Sequence, residues 1–133
     1  MRAKYSFALF LALALTSVAV AQTYPFEIRK TNALAFGAWK RIVPGEYGAL
    51  PWIAALDGVA GPLDRTTLRE KQFYYGKVCI PHDCGGNFVA FLIAMDGSEA
   101  SGLLASRTLG VGHRIFGAPQ GDARRLLEIK LRQ

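Results

Sequence analysis

The feature that most constrains the fold is an apolar run at residues 88–95, which reads FVAFLIAM. Apolar side chains occupy both odd and even positions, so an extended strand would have apolar side chains on both of its faces. We therefore expect a central strand of a sheet, with other layers packed on each face. Asp96-Gly97-Ser98 follows as a hairpin turn signal, and residues 99–106 are expected to return antiparallel beside the run.

A helix is predicted before the sheet. Thr31 and Asn32 are good N-cap residues, and apolar residues recur at helical spacing over residues 32–43. Pro25 argues against a helix in residues 22–30. The helical layer on this side of the sheet is therefore expected to begin only at Asn32.

Further strands and a last helix complete the predicted order of elements. From Leu63 the pattern becomes strand-like, most clearly at the aromatic residues 73–75, with Gly76 read as a bulge. Residues 107–116 predict another strand, and Asp122 lies at the start of a C-terminal helix. This order predicts an α+β domain, with a central, mostly antiparallel β-sheet flanked by short helices.

Residues 1–21 have the pattern of a cleaved secretory signal peptide. Arg2 and Lys4 precede an apolar run at residues 7–18, and the small residues that follow the run supply a cleavage site. The run is shorter than the roughly 20 residues that a membrane span needs, so we expect cleavage and no membrane anchor. Residues 22–133 would then form a single exported domain.

The charge pattern argues against one class of function. The chain carries 16 basic and 10 acidic residues, a formal net charge of +6, and the basic residues are scattered. A nucleic-acid-binding face needs clustered lysine and arginine, often with aromatic stacking residues. We therefore expect no nucleic-acid partner.

The chain has two cysteines, which enclose four residues: Cys79, Ile80, Pro81, His82, Asp83 and Cys84. Only one pairing exists, and two thiols outside the cytoplasm are expected to pair. The chain-entropy model gives so small a loop only about 2 kcal/mol of stabilisation. The disulfide therefore matters at least as much for the shape of the ring, which Pro81 stiffens further.

Several chemical interpretations of this ring compete. A thioredoxin-like redox pair has two intervening residues, whereas four stand here. A zinc site would need His82, both cysteines and a further ligand such as Asp83 or His113. A Cys–His nucleophile would need a thiolate, which a disulfide removes. We expect no cofactor, no metal and no enzymatic activity. A plain surface hairpin and a stiff tip that enters another protein's cleft both remain open.

The ring closely resembles the signature loop of the Ivy family, the bacterial inhibitors of vertebrate (C-type) lysozyme. The family's loop reads Cys-Lys-Pro-His-Asp-Cys, and this chain has isoleucine at the second position. Further positions that are similar to the family surround the ring and extend over nearly all of residues 22–133: Leu50-Pro51-Trp52, Gly61-Pro62, Gly102-Leu103-Leu104 and Phe116-Gly117-Ala118-Pro119.

This resemblance implies a periplasmic inhibitor whose disulfide-closed loop protrudes from the sheet and plugs the active-site cleft of a C-type lysozyme. On that analogy His82 meets the catalytic carboxylates, Asp83 makes supporting contacts, and Cys79 and Cys84 hold the shape of the loop. The resemblance allows both monomers and homodimers. Because Ile80 replaces the family's lysine, the alternative partner is another peptidoglycan-cleaving enzyme, such as an endogenous lytic transglycosylase.

Overall fold

A computed structural model describes residue 14 and residues 22–133, so the predicted signal peptide lies outside the described residues apart from residue 14. Within the described residues, one antiparallel sheet has the strand order β1-β2-β3-β4-β5. Its strands are β1 (Asp64–Leu68), β2 (Lys71–Ile80), β3 (Asp83–Ala94), β4 (Ala100–Ser106) and β5 (Val111–Phe116). The helices are α1 (Ile28–Thr31), α2 (Ala33–Ile42), α3 (Pro51–Ala54) and α4 (Asp122–Arg132). The predicted α+β fold is confirmed.

Strand β3 is the central strand, as its apolar run predicted. All of residues 89–94 are fully buried. The odd-numbered members belong to the hydrophobic core that includes α2 and α3, and the even-numbered members belong to a second core beneath α4. The sheet therefore lies between two helical layers, with exposed residues on its edge strands β1 and β5 and at the turn between β2 and β3.

The first helical layer is fixed by Asn32 and Trp39. The Asn32 side chain accepts a hydrogen bond from the Ala35 amide at 3.1 Å, which is the predicted N-cap of α2. Its Nδ2 also donates to the Met95 carbonyl at 2.9 Å, so the cap ties the helix to the sheet. Trp39 is fully buried, and its Nε1 donates to the Ile53 carbonyl at 2.9 Å.

The second layer is α4, which packs one face against the sheet. Ala123 and Leu127 pack on the sheet, and the side chain of Lys130 is also buried there. The Lys130 Nζ lies 2.8 Å from Asp64 Oδ2 and 4.2 Å above the ring of Tyr75. Burial and the charge of Asp64 raise the pKa of the Tyr75 hydroxyl above its ordinary value.

The expectation that Pro25 prevents a helix in residues 22–30 is wrong. Pro25 opens a 3₁₀ turn, Pro25–Glu27, which runs directly into α1. Proline is well tolerated at a first helical position, because the N–H that it lacks has no intrahelical partner there.

None of the helices among residue 14 and residues 22–133 combines the length and the apolar character needed to cross a membrane.

The bulge predicted at Gly76 is also wrong. Gly76 pairs regularly with Phe91, and a Cβ at Gly76 would lie 2.8 Å from Phe91 Cζ, so the glycine makes room for the aromatic ring. The register shift between β2 and β3 lies instead between Cys79 and Ile80. The strand predicted over residues 107–116 begins only at Val111.

A substitution at Gly102 on β4 tests how tightly the core that includes α2 and α3 is packed. A Cβ there would lie 2.8 Å from Trp39 Cη2 and 3.2 Å from the Ala90 carbonyl oxygen. We expect Gly102→Ala to lower the free energy of unfolding by about 1–3 kcal/mol, the usual penalty for overpacking a core. The control is Gly112→Ala on β5, where nothing lies within 4 Å of the added Cβ.

Urea denaturation followed by tryptophan fluorescence measures both variants. Gly112→Ala should change the free energy of unfolding by less than about 0.5 kcal/mol. Equal stabilities for the two variants would contradict the packing described for Trp39.

Candidate functional site

The two cysteines form a disulfide at the turn between β2 and β3, as predicted. Strand β2 ends at Ile80 and β3 begins at Asp83, so Pro81 and His82 are the two turn residues. The bond joins Cys79 to Cys84, with their Cα atoms 5.1 Å apart. The six predicted ring residues are therefore brought together as one closed hairpin tip.

The tip of this ring presents His82 to solvent. Pro81 and His82 are exposed, whereas Cys79 is buried at the base of the ring. His82 has a φ of +66°, in the left-handed region, where histidine is several-fold enriched among non-glycine residues. A positive φ at the second central residue, with proline at the first, has the pattern of a type II turn. The imidazole thus projects from a defined backbone rather than from a loose loop.

An irregularity in strand pairing sets the direction of the tip. Cys79 pairs with Phe88 and Ile80 pairs with Asp83, so residues 84–87 are extra residues on β3. With these extra residues, the tip lies beside the end of β4. The carboxylate of Asp83 reaches the turn between β4 and β5, at residues 107–110, and contacts two side chains there.

Asn87 joins the base of the ring to that turn. It is fully buried, and its Oδ1 accepts hydrogen bonds from Ser106 Oγ at 2.7 Å and from the Thr108 amide at 3.1 Å. Its Nδ2 donates to the Asp83 carbonyl at 3.2 Å. The hydroxyl of Ser106 in turn accepts from the Leu109 amide at 3.2 Å. One buried amide therefore holds two exposed segments in a fixed relation.

The opposite side of the ring is held by the segment that follows α3. The Val59 amide donates to the Cys79 carbonyl at 3.1 Å, and the Cys79 amide donates to the Val59 carbonyl at 2.9 Å. This close approach requires glycine at the preceding position, since a Cβ at Gly58 would lie 2.4 Å from the Cys79 carbonyl oxygen. Cys79, at the base of the ring, is thus held by the segment that follows α3 as well as by β3.

The charged groups near the ring are an ion pair and a half-buried lysine. Arg107 Nη2 lies 3.4 Å from Asp83 Oδ1, and both side chains are largely exposed. Lys77 Nζ lies 4.7 Å from the centre of the Phe88 ring. Burial, together with the charge of Lys130, lowers the pKa of the Lys77 ammonium below its ordinary value.

The ring has few of the groups that a metal site or a Cys–His nucleophile would need. Both cysteine sulfurs are bonded to each other, so neither is a thiolate or a free metal ligand. Among residue 14 and residues 22–133, no three His, Cys, Asp or Glu side chains gather as a metal site requires. His113 lies exposed on β5, where it lines a shallow cavity with Glu128 of α4.

The comparisons with known proteins concern this same region. The model of the family described as "Inhibitor of vertebrate lysozyme (Ivy)" matches residues 37–115, which include the ring, Asn87 and the turn at residues 107–110. A protein of Pseudomonas aeruginosa that carries the name "Inhibitor of vertebrate lysozyme" is 29% identical over 68 residues, which are 51% of this chain and 44% of that protein.

Two other relatives are uncharacterized proteins. One from Yersinia pestis is 31% identical over 65 residues, which are 49% of this chain and 42% of that protein. One from Pseudomonas aeruginosa is 26% identical over an alignment of 140 positions, which covers 94% of this chain and 90% of that protein. The similarity therefore spans less than half the length of two of these three relatives.

Asn87→Ala tests the junction between the ring and the turn. Its removal leaves the Thr108 amide and the Asp83 carbonyl without this partner, so we expect the free energy of unfolding to fall by about 1–3 kcal/mol. The Thr108 amide should also exchange its hydrogen faster. Urea denaturation and hydrogen exchange followed by NMR measure the two effects.

The matched control is Gln72→Ala, which removes an exposed amide side chain from β2. We expect it to change stability by less than about 0.5 kcal/mol. Unchanged stability and unchanged exchange at Thr108 in the Asn87 variant would contradict a bracing role for the buried amide.

Proposed function

This chain belongs to the Ivy family, and we propose that it is a periplasmic inhibitor of C-type lysozyme, exported by a signal peptide at residues 1–21. The observation that carries the proposal is the exposed His82 at the tip of the disulfide-closed hairpin, inside the region that the family model matches. In this proposal the loop at residues 79–84 enters the active-site cleft of the enzyme.

The rigidity of the tip supports this role. The disulfide, Pro81 and the Asn87 hydrogen bonds all restrict the hairpin before any partner is present. A segment that is already fixed in its bound shape loses little conformational entropy on docking. The turn is also narrow, because only Pro81 and His82 stand between the paired residues Ile80 and Asp83. Such a tip suits a cleft rather than a flat surface.

The chemistry of the target explains why a histidine would stand at the tip. Lysozyme is a retaining glycosidase, and the two catalytic carboxyl groups of such enzymes lie about 5–5.5 Å apart. A protonated imidazole donates hydrogen bonds from both ring nitrogens. Between two acids, His82 would engage both, and their negative charge would favour the cationic imidazole. Nothing on the inhibitor needs to react, so the proposal assigns no catalytic residue to this chain.

The proposal also predicts the kind of inhibition. A hairpin that occupies the cleft excludes the polysaccharide, so inhibition should be competitive with substrate. The apparent KM of the enzyme should rise with inhibitor concentration while kcat stays constant. Inhibition that lowers kcat alone would place the binding site outside the cleft.

A second candidate partner is another peptidoglycan-cleaving enzyme, such as an endogenous lytic transglycosylase. The observation that favours it is Ile80, which is half-buried beside the tip. An apolar side chain gains no charge complementarity from an acidic cleft, but it does gain from burial against an apolar rim. Parallel assays against a C-type lysozyme and a transglycosylase, with the disulfide intact, separate the two partners.

His82→Ala tests the tip directly. We expect its inhibition constant toward C-type lysozyme to rise by about 30-fold or more, the loss that defines a hot-spot residue. The control is His113→Ala, which removes an exposed imidazole from β5 and should leave inhibition unchanged. Initial rates of peptidoglycan lysis at several substrate concentrations give the constants. If the two variants inhibit equally well, His82 is not the contact residue.

Ile80→Lys tests the position beside the tip. A lysine there adds a charge next to an acidic cleft, so inhibition should strengthen by up to about fivefold at low salt, the scale of an exposed ion pair. The gain should appear mainly in the association rate and should shrink at high salt. Ile80→Gln, which is polar but uncharged, is the control. Equal effects of lysine and glutamine would contradict an electrostatic contribution at this position.

A further inference from the structure

We propose that the turn at residues 107–110 is a second contact of the same docking surface, and that Arg107 supplies a cation to the acidic cleft that receives His82. This inference rests on the proposed function, because it takes the cleft of a C-type lysozyme as the partner. It assigns a specificity-determining role to a side chain that lies outside the disulfide ring.

The first step is the position of the cation. Arg107 Nη2 lies 3.4 Å from Asp83 Oδ1, and Asp83 directly follows His82 in the ring. No residue between Cys79 and Cys84 is a lysine or an arginine. The permanent positive charge at the tip therefore comes from the neighbouring turn.

The second step is that the turn is held in place before binding. The Arg107 amide donates to the Gly86 carbonyl at 2.9 Å, and the Thr108 amide donates to Asn87 Oδ1 at 3.1 Å. The Gly110 amide closes the turn by donating to the Arg107 carbonyl at 3.1 Å. The backbone that carries the guanidinium therefore needs little ordering when a partner arrives.

The third step is that the guanidinium is free to change partners. The side chains of Arg107 and Asp83 are 72% and 45% exposed, and their charged groups meet in a single long contact. Exposed pairs of this kind contribute only about 0–1 kcal/mol. The pair can therefore open at little free-energy cost, and a guanidinium with five N–H donors can bind a carboxylate of the partner while it remains near Asp83. The exposed side chain of Leu109 adds apolar area to the same turn.

The charges of Asp83 and Arg107 together decide how the tip matches an acidic cleft. Asp83 places a carboxylate beside the tip, and a carboxylate meets repulsion when it approaches an acidic cleft. Arg107 neutralises that charge in the free protein, and its planar fork matches carboxylates at the cleft. The occupant that fits this combination of imidazole and guanidinium is the acidic rim of a glycosidase cleft with two catalytic carboxyl groups.

Arg107→Gln is the test, with inhibition of C-type lysozyme measured over a range of salt concentrations. We expect the inhibition constant to rise by about tenfold at low salt and its salt dependence to become shallower, as for a lost interfacial charge. Arg107→Lys keeps the charge but loses the planar fork, so we expect a smaller loss of about threefold and the salt dependence of the unmodified protein. Thermal unfolding should be unchanged in both variants, because the side chain is exposed.

Arg69→Gln is the matched control. Arg69 forms an ion pair with Glu99 in which the side chains are 61% and 40% exposed, and it lies in the turn between β1 and β2, at the other end of the sheet. We expect this variant to inhibit normally. If Arg107→Gln also inhibits normally while His82→Ala does not, the turn is not a contact and the proposed function still stands.

Two further outcomes would overturn the inference. Equal losses in Arg107→Gln and Arg107→Lys, with unchanged salt dependence, would show that the charge of Arg107 is not what the partner recognises. A complete lack of inhibition by the unmodified protein would remove both this inference and the proposed function.

Discussion

The burial of both faces of β3 is the constraint on which the rest of the structure depends. Residues 89–94 are fully buried, and their side chains alternate between two cores. A helical layer must therefore cover each face, which leaves the edge strands and the turns at the ends of the sheet exposed. The ring at residues 79–84 is formed where this buried strand begins. Its base is the buried Cys79, which is paired with that strand, and a binding group is held most accurately on a rigid element.

Asn87 marks the change from core to surface. Residues 84–87 leave the regular pairing with β2, and from Val89 onwards β3 is fully buried. The amide bonds three partners on two segments, in addition to the backbone bond from the Arg107 amide to the Gly86 carbonyl. A buried amide with all these bonds is well tolerated, whereas one with a partner removed is costly. The same side chain therefore stabilises the end of the sheet and fixes the ring and the turn at residues 107–110 as one surface.

The sequence predicted those features that depend on local patterns. The central strand at residues 88–95, the helix capped by Asn32 and the disulfide follow from apolar spacing, a cap preference and the existence of only two cysteines. The Asn87 hydrogen bond to Ser106 and the Arg107 ion pair join residues 19 and 24 positions apart, and no local pattern encodes them. They depend on the register between β3 and β4, in which Asn87 pairs with Ser106. The one available signal was a polar residue at the start of an apolar run.

His82 separates the requirements of folding from those of binding. A turn with positive φ at this position is most easily formed by glycine or asparagine, and a histidine there carries a conformational cost. The exposed imidazole contributes nothing to either core, so the fold itself gives no reason for it. The disulfide, Pro81 and the Asn87 hydrogen bonds hold the conformation in spite of that cost. The role that we propose for His82 therefore lies in contacts outside the chain, where an imidazole on a rigid tip would meet groups that the protein itself does not supply.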